Sequence, residues 1–466
     1  MSAGDPRGSA EADAPAGGDP RDGSIGDSAS ASTRRIIVAR VASLVLIFVG
    51  SIILSRTLGP DGRGAHAFYV ALTILAAGVL GLSAPTGGYI LAARHDVRPP
   101  ELAANALWFA AVSGLLAAAL TLLLEAVFGF IPTPLARIGI WPVLIAVGVA
   151  GFTANTHQVQ LAFARGRSIA GAVLSFGPYT VAAIGYLLLP VTDGGLVAAL
   201  WIFALAPYVL AVASALVRPG LSVVAFGWPR PGLAWRSVRV GLRSYPGEFA
   251  AMLHQRADVL LLGILAPAAS LGVYVVAYQT VEPILVLATA SGATVLALGH
   301  GHPEVERGGV TARLIRETLL AGGLLALLAA ILAPVLVPLI YGAAFAAAVT
   351  PLLILLPGIV ALSCGRIAMA DLMRRNLLER MAAISVTVML LNVALNLVLI
   401  PIFGPSGAAT ASLVSYTIQA ILAIAVDRRA GGFTARALVP GRADVAALFG
   451  AWSPASLTLR NRRPPS

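Results

Sequence analysis

The stretch TLLAGGLLALLAAILAPVLVPLI, residues 318–340, contains no charged side chain and is long enough to cross the hydrocarbon core of a bilayer as one helix. Similar runs recur along the chain of 466 residues, of which 58% are hydrophobic and only 11% are charged. We count twelve spans, near residues 36–55, 66–92, 102–124, 138–162, 169–190, 196–217, 246–266, 271–299, 317–340, 347–371, 381–403 and 407–426. The sequence therefore predicts an all-α integral membrane protein with about 12 transmembrane helices.

Composition excludes several classes of protein. The only cysteine, Cys364, lies inside an apolar run, which excludes a disulfide scaffold and a zinc module. Lysine is absent, which excludes chemistry that needs a lysine nucleophile. The extramembrane segments contain no nucleophile elbow, phosphate loop or paired catalytic acids. We therefore expect no enzyme activity, no metal and no cofactor.

The arginines fix the predicted orientation, because basic residues are retained on the cytoplasmic side of short loops. If the N-terminus is inside, the outer loops hold only Arg56, Arg63 and Arg137. The inner loops hold the larger group, which consists of Arg94, Arg98, Arg165, Arg167, Arg218, Arg230, Arg236, Arg239, Arg243, Arg307, Arg313, Arg316, Arg374, Arg375 and Arg380. This alternation predicts a multi-pass protein with both termini in the cytoplasm. It also accounts for the net charge of +11 without nucleic-acid binding.

The chain is expected to contain two six-helix bundles related by an internal repeat. Pro60 and Gly64 follow the first span as Pro267 and Gly272 follow the seventh. The predicted organisation is a disordered cytoplasmic tail (1–33), an N-terminal bundle (34–217), a cytoplasmic interfacial linker (218–245), a C-terminal bundle (246–427) and a second cytoplasmic tail (428–466). In the linker, arginines at helical spacing beside Trp235 and Val238 favour a helix in the membrane interface, although an ordinary basic loop is an open alternative.

Three segments resemble one known family. They read SRTLGPDGRG at residues 55–64, RADVLLLG at 256–263 and LNLVLIP at 395–401. These segments are similar to polysaccharide flippases of the Wzx type, within the multidrug/oligosaccharidyl-lipid/polysaccharide exporter superfamily. The resemblance covers roughly residues 34–427. It implies flipping of a polyprenyl-diphosphate-linked oligosaccharide across the bacterial cytoplasmic (inner) membrane.

Two acids lie at mid-membrane depth, where ionisable side chains are costly. At 1.5 Å per residue, Asp258 is roughly 18 Å from the inner end of the seventh span and Glu282 roughly 16 Å from the outer end of the eighth. Arg256 lies in the same layer, and Tyr278 shares a helical face with Glu282. One hypothesis is that Asp258 or Glu282 exchanges a proton or sodium ion while Arg256 meets a diphosphate. The alternative is an ion pair that only joins two helices.

Other polar residues fall into two groups. Thr153, Thr156, His157 and Gln160 share a face of the fourth span, and we expect them to line a water-filled cavity for sugar hydroxyls; interhelical hydrogen bonding is the alternative. Arg366 is expected to reach the cytoplasmic interface, and Glu248 to lie against the positive end of a helix dipole.

The sequence thus favours a transporter whose partners are a lipid-linked oligosaccharide, membrane lipids and an ion such as H⁺ or Na⁺. A polymerase or glycosyltransferase of the same pathway is a further expected partner. A multidrug/toxin cation antiporter of the same fold is the main alternative. A membrane glycosyltransferase or polymerase is a weaker one, because the longest outer loop, residues 125–137, is short.

Overall fold

The structure is a computed structural model that describes residues 21–191, 194–217, 227–297, 304–430, 433–441 and 444. Fifteen α-helices account for almost all of this part of the chain. They are α1 (Arg21–Gly81), α2 (Ala84–Ala93), α3 (Pro99–Phe128), α4 (Thr133–Ala136), α5 (Trp141–Ala164), α6 (Ser168–Tyr186), α7 (Gly195–Val217), α8 (Pro231–Gly241), α9 (Tyr245–Leu265), α10 (Ala268–Val281), α11 (Leu285–Ala297), α12 (Glu304–Tyr341), α13 (Val349–Arg374), α14 (Leu378–Phe403) and α15 (Pro405–Arg429).

The predicted all-α membrane fold is confirmed. Eight helical stretches in the described part are long and apolar enough to cross a membrane. One of them, Ala42–Gly81, contains two spans, because α1 kinks at Gly59, where φ is +64°. The polar α5, the charged α9, and the pair of shorter helices α10 and α11 supply the remaining crossings. The result corresponds to the twelve predicted spans.

The two halves repeat the same helix packing. In the first half α3 packs on α5, α1 on α6, α5 on α7 and α6 on α7. In the second half the equivalent pairs are α12 with α13, α9 with α14, α13 with α15 and α14 with α15. Between the halves, α1 lies against α10 and α9. The internal repeat predicted from the proline and glycine spacing is therefore present in the fold.

Lipid-facing surfaces are apolar. On α3, Leu115 and Leu123 are 69% and 61% exposed, and on α12 Ile331 and Val335 are 65% and 66% exposed. A water-soluble monomer rarely exposes so continuous an apolar surface, whereas lipid tails cover it without cost.

Helix boundaries differ from expectation at two places. Residues 21–33, which we predicted to be part of a disordered tail, are the first turns of α1, since extending an existing helix needs no new nucleus; residues 1–20 lie outside the described range. Residues 56–65, predicted as a loop, are helical on both sides of the Gly59 kink. Arg63 is consequently a helical residue with 3% exposure and not a loop residue.

Two segments lie on the predicted cytoplasmic side, the linker against the first bundle and the residues after α15 against the second. The linker contains the expected helix, α8, on which Val238 is 5% exposed and Trp235 63% exposed. Arg316 near the start of α12 forms an ion pair of 3.0 Å with Asp444, beyond the last helix.

A buried charge cluster lies at the same end of α13 and α15. Asp371 and Asp427 are fully buried there beside Arg374 and Arg375.

Candidate functional site

The halves touch at the predicted outer end. A Cβ atom added to Gly64 would lie 1.8 Å from the Ala268 carbonyl oxygen, and one added to Gly272 would lie 2.0 Å from the Pro60 carbonyl oxygen. Glycine is therefore required on both sides of this crossing. The proline and glycine positions that revealed the repeat are the ones that close the outer end.

A polar cluster lies below that crossing. Arg63 donates from Nη2 to Gln279 Oε1 of α10 at 2.7 Å, and from Nε to Ser55 Oγ at 3.2 Å. Ser51 Oγ also donates to Gln279 Oε1. The cluster joins α1 of the first half to α10 of the second.

The halves also touch at the predicted inner end. Glu248, in the first turn of α9, accepts hydrogen bonds from Ser83 Oγ at 2.7 Å and Thr86 Oγ1 at 2.9 Å. We expected Glu248 to serve its own helix end, but its carboxylate instead reaches the interruption between α1 and α2. Ser83 has a left-handed backbone there, with φ of +50°. Both ends of the path between the halves are thus in contact.

Between these contacts, the eighth span is broken at mid-membrane. A 3₁₀ turn, Glu282–Ile284, separates α10 from α11, and Glu282 and Pro283 are exposed. Proline removes a backbone donor and so prevents a continuous helix at this point. Because a carboxylate facing lipid is costly, the exposed Glu282 side chain belongs in an open space within the bundle.

Two arginines act electrostatically on Glu282. They are Arg256 of α9 and Arg366 of α13. Tyr278 interacts with the same two arginines and with Glu282 and Asp258. In the described part of the chain, no carboxylate oxygen forms an ion pair with Arg256 or Arg366. These groups form a central layer: Arg256, Tyr278, Glu282 and Arg366.

Asp258 is buried inside the second half, within electrostatic range of Arg256 and Tyr278. It is 5% exposed and accepts a hydrogen bond of 2.5 Å from the Tyr274 hydroxyl. Tyr274 in turn lies 3.2 Å from Ser412 Oγ on α15. The structure therefore places the two predicted acids in different surroundings, one in the central layer and one in a buried network of α9, α10 and α15.

The fourth-span residues are distributed over different surroundings. Thr153 is 1% exposed, Thr156 donates to the Phe152 carbonyl oxygen at 2.9 Å, and Gln160 is half-buried. His157 is 8% exposed and lines a small cavity with Pro85, Asn105, Phe109, Leu161 and Ser237. This cavity lies where α2, α3, α5 and the linker helix meet. A sugar-binding role for the four residues remains a prediction.

The sequence matches no family model, and no curated protein matches it. Solved structures do match the fold. The lipid II flippase MurJ in an inward closed conformation aligns with a TM-score of 0.68 at 10% identity, over 92% of this chain and 93% of that chain. The chain has the fold of MOP-superfamily transporters.

Two further MOP structures agree. An inward-facing multidrug resistance MATE family transporter gives a TM-score of 0.58 at 15% identity, over 83% of this chain and 94% of that chain. A MOP-superfamily transporter from Pyrococcus furiosus, whose binding pocket is described as having reverse polarity, gives 0.54 at 16% identity, over 84% and 92%. The predicted superfamily fold is confirmed, and the Wzx-type branch stays a prediction.

Sequence reasoning missed three residues in this MOP fold. Arg366 was expected only to reach the cytoplasmic surface, and its electrostatic action on Glu282 and Tyr278 also connects it to the central layer. Arg63 was counted as a loop residue, and Glu248 as a helix-end residue. The sequence did contain a signal for Arg366. It lies eight residues before Arg374 and is flanked by apolar residues, which indicates a position deeper in the membrane than the arginine pair that ends the helix.

Proposed function

We propose that this protein moves a polyprenyl-diphosphate-linked oligosaccharide across the bacterial cytoplasmic membrane for polysaccharide biosynthesis. The observation that carries the proposal is the break in the eighth span at Glu282, beside Arg256 and Arg366. Interrupted helices at mid-membrane depth are where alternating-access carriers commonly bind their cargo.

The two arginines of the central layer favour an anionic cargo. Arg256 acts electrostatically on Asp258 as well as on Glu282, so the two guanidinium groups are balanced by two carboxylates only while both acids are charged. Neither arginine is held in an ion pair with a described acid, which leaves its planar donor fork available for phosphate oxygens. A diphosphate headgroup would supply negative charge whenever the coupling acid is occupied by H⁺ or Na⁺.

Asp258 is the proposed site of ion coupling, with Glu282 as the second candidate. Its carboxylate is buried and within hydrogen-bonding distance of Tyr274, which itself contacts Ser412. A buried carboxylate with neutral oxygen neighbours suits H⁺ or Na⁺ exchange. Because Asp258 belongs to the second half alone, its occupancy would change the internal packing of that half.

Alternating access would use the two contacts between the halves. The outer contact at Gly64 and Gly272 and the inner contact at Glu248 would open in turn, which exposes the central layer to one side at a time. The cargo would enter from the inner leaflet, with both termini in the cytoplasm. A glycosyltransferase and a polymerase of the same pathway would be partners before and after this step.

A multidrug cation antiporter is the second candidate. Tyr278 and Glu282 offer an aromatic ring and an acid in one place, a combination that attracts organic cations. The two arginines in the same layer oppose that reading, because they repel a cationic drug.

A gene-deletion strain distinguishes the two proposed functions, flippase and cation antiporter. We expect polyprenyl-linked oligosaccharide to accumulate on the inner leaflet while surface polysaccharide is lost. Plasmids that encode R256Q or R366Q should fail to restore polysaccharide, whereas R239Q, which changes an exposed arginine of α8, should restore it. Unchanged polysaccharide together with raised sensitivity to cationic dyes would overturn the flippase proposal in favour of the antiporter.

A double substitution tests whether the central layer only joins helices. If Arg256 and Glu282 form a structural pair, R256Q combined with E282Q should recover the transport that each single change removes. We expect no recovery, because the cation and the acid meet different ligands during transport.

A further inference from the structure

Arg63 is a buried cation that the proposed central layer does not use. Its side chain is 3% exposed and lies where α1 of the first half meets α10 of the second. Its three hydrogen-bond partners are Gln279 at 2.7 Å, Ser55 at 3.2 Å and Ser51 at 3.5 Å. All three are neutral side chains.

This arrangement leaves the charge uncompensated. Within the described residues, no carboxylate lies within ion-pair distance of the Arg63 guanidinium. Buried charges are normally paired, because removing an ion from water is costly. An arginine held only by neutral groups therefore needs a reason outside the stability of the folded chain.

The internal repeat shows that the fold does not need a cation at this position. Arg63 precedes Gly64, and the equivalent residue before Gly272 is Leu271. Leu271 is fully buried in the apolar core, and its helix makes the same close crossing. A leucine thus satisfies the packing at the related turn, so the arginine is specific to the first half.

Opening of the outer end would change the surroundings of Arg63. The bond to Gln279 crosses between the halves, so it must break when Gly64 and Gly272 separate. The guanidinium would then face the space between the separated halves, and the Nη2 group that now donates to Gln279 would be free. An oxyanion arriving there would replace the neutral acceptor with a charged one.

We infer that Arg63 is an oxyanion-binding residue of the outer end, engaged when the halves open, and that its ligand is a phosphate-type group. This inference rests on the proposed function for the identity of the cargo, namely a lipid diphosphate. Anionic phospholipid of the outer leaflet shares the same chemistry and is the other possible source.

The test measures ligand-induced thermal stabilisation of the full-length protein in phosphatidylcholine nanodiscs. Inorganic pyrophosphate, undecaprenyl diphosphate and phosphatidylglycerol are added separately, with uncharged undecaprenol as the ligand control. We expect pyrophosphate and undecaprenyl diphosphate to raise the Tm. In R63Q the apparent affinity should fall about tenfold to a hundredfold, the range expected for losing hydrogen bonds to a charged group.

A second variant keeps the arginine and guards against misfolding of the first. In Q279E, a carboxylate replaces the amide oxygen that now lies 2.7 Å from Arg63. This built-in anion should raise the Tm without ligand and abolish the ligand-induced shift. R56Q is the matched control, because Arg56 lies at the same end and donates to the Ile340 carbonyl oxygen at 2.8 Å; its ligand-induced shift should persist.

The outcomes separate the two proposals. Shifts that persist in both R63Q and Q279E overturn the role of Arg63 and leave the flippase proposal standing. An Arg63-dependent shift with pyrophosphate but not with undecaprenyl diphosphate supports the oxyanion site and contradicts the proposed cargo. An Arg63-dependent shift with phosphatidylglycerol alone assigns the site to phospholipid. No shift with any anion overturns the inference.

Discussion

Gly64 and Gly272 face each other across the outer crossing of the two halves. A methyl group added to either glycine would collide with the backbone of the opposite helix. The added Cβ atoms would lie 1.8 Å and 2.0 Å from carbonyl oxygens of the opposite helix. The obstructing atoms belong to the backbone, so they cannot move aside as a flexible side chain would.

Gly64→Ala and Gly272→Ala should each hold the outer end open and reduce transport. Overpacking of this kind costs about 1–3 kcal/mol, which corresponds to about a tenfold to hundredfold shift toward the open form. The measurement is labelling of Ser51→Cys by an impermeant maleimide added outside, in a Cys364→Ala background. Gly323→Ala is the control, since nothing lies within 4 Å of its added Cβ. Equal labelling in all variants would show that the crossing of Gly64 and Gly272 does not close the outer end.

Glu248→Ala should weaken the inner contact, because it removes the acceptor of two hydrogen bonds from Ser83 and Thr86. A buried hydrogen bond to a charged group contributes about 1.5–3 kcal/mol, and an exposed one contributes less. Because these two bonds are partly exposed, we expect their loss to increase labelling from the inner side about tenfold. The readout is maleimide labelling, in inside-out vesicles, of Ala84→Cys, a buried site beside Ser83 that takes part in neither hydrogen bond. Glu379→Ala, which removes another acid in the first turn of a helix, should leave labelling unchanged.

Asp371→Ala should strongly destabilise the second half. Asp371 is fully buried and accepts hydrogen bonds of 2.7 Å from both Arg374 and Arg375. Removing one member of a buried charge cluster costs about 3–5 kcal/mol, because the remaining charges stay buried without a partner. A thermal unfolding assay in detergent measures the effect. The exposed pair Arg313 and Glu317 is the comparison, and Glu317→Ala should cost at most about 1 kcal/mol.

The contact between Asp444 and Arg316 predicts a pH dependence. The hydrogen bond from Arg316 lowers the pKa of Asp444 below its ordinary value. The contact therefore contributes fully above the ordinary carboxyl pKa of about 3.9 and is lost as the pH falls through the lowered value. The hydrogen-exchange protection factors of residues 433–441, taken relative to an unstructured chain at the same pH, should be high at neutral pH and fall only in strong acid. Asp444→Asn should show fast exchange already at neutral pH, whereas Asp96→Asn should not.

Cysteine labelling tests the predicted topology. Single cysteines at Ala269 and Pro405 should react from outside, and one at the exposed Arg380 should react from inside after permeabilisation. The sole native cysteine, Cys364, is buried, so it contributes little background. Inner-side labelling at both Ala269 and Pro405 would reverse the orientation derived from the arginines.

The spans were predictable because length and apolar character decide which segments enter a bilayer, and residues 318–340 show both without ambiguity. The repeat was predictable because the crossing requires Gly64 and Gly272, and a proline, Pro60 or Pro267, precedes each of them at similar spacing. Both properties depend on local sequence alone.

The site was less predictable, because its members depend on contacts between distant helices. Arg63 reads as a loop residue until Gln279, on the other half, is placed beside it. Glu248 reads as a helix-end residue until Ser83 and Thr86 are placed against it. Asp258 and Glu282 share a depth, yet depth does not determine which way a side chain points, and the structure separates them.

The linker helix is fastened to one half only. Asn105 of α3 exchanges two hydrogen bonds with the Arg230 backbone at 3.0 Å and 2.7 Å, and Arg236 pairs with Asp96 at 3.2 Å. Cβ atoms on Gly87 and Gly241 would collide with Ser237 and Ser83, so α8 has no room to slide. Since α9 begins at Tyr245, only the three residues 242–244 are left to absorb any rotation of the second half. Because this connection is so short, a rotation of the second bundle would move α8 and the first bundle with it. A flexible insertion there would leave each bundle folded but let one swing without the other.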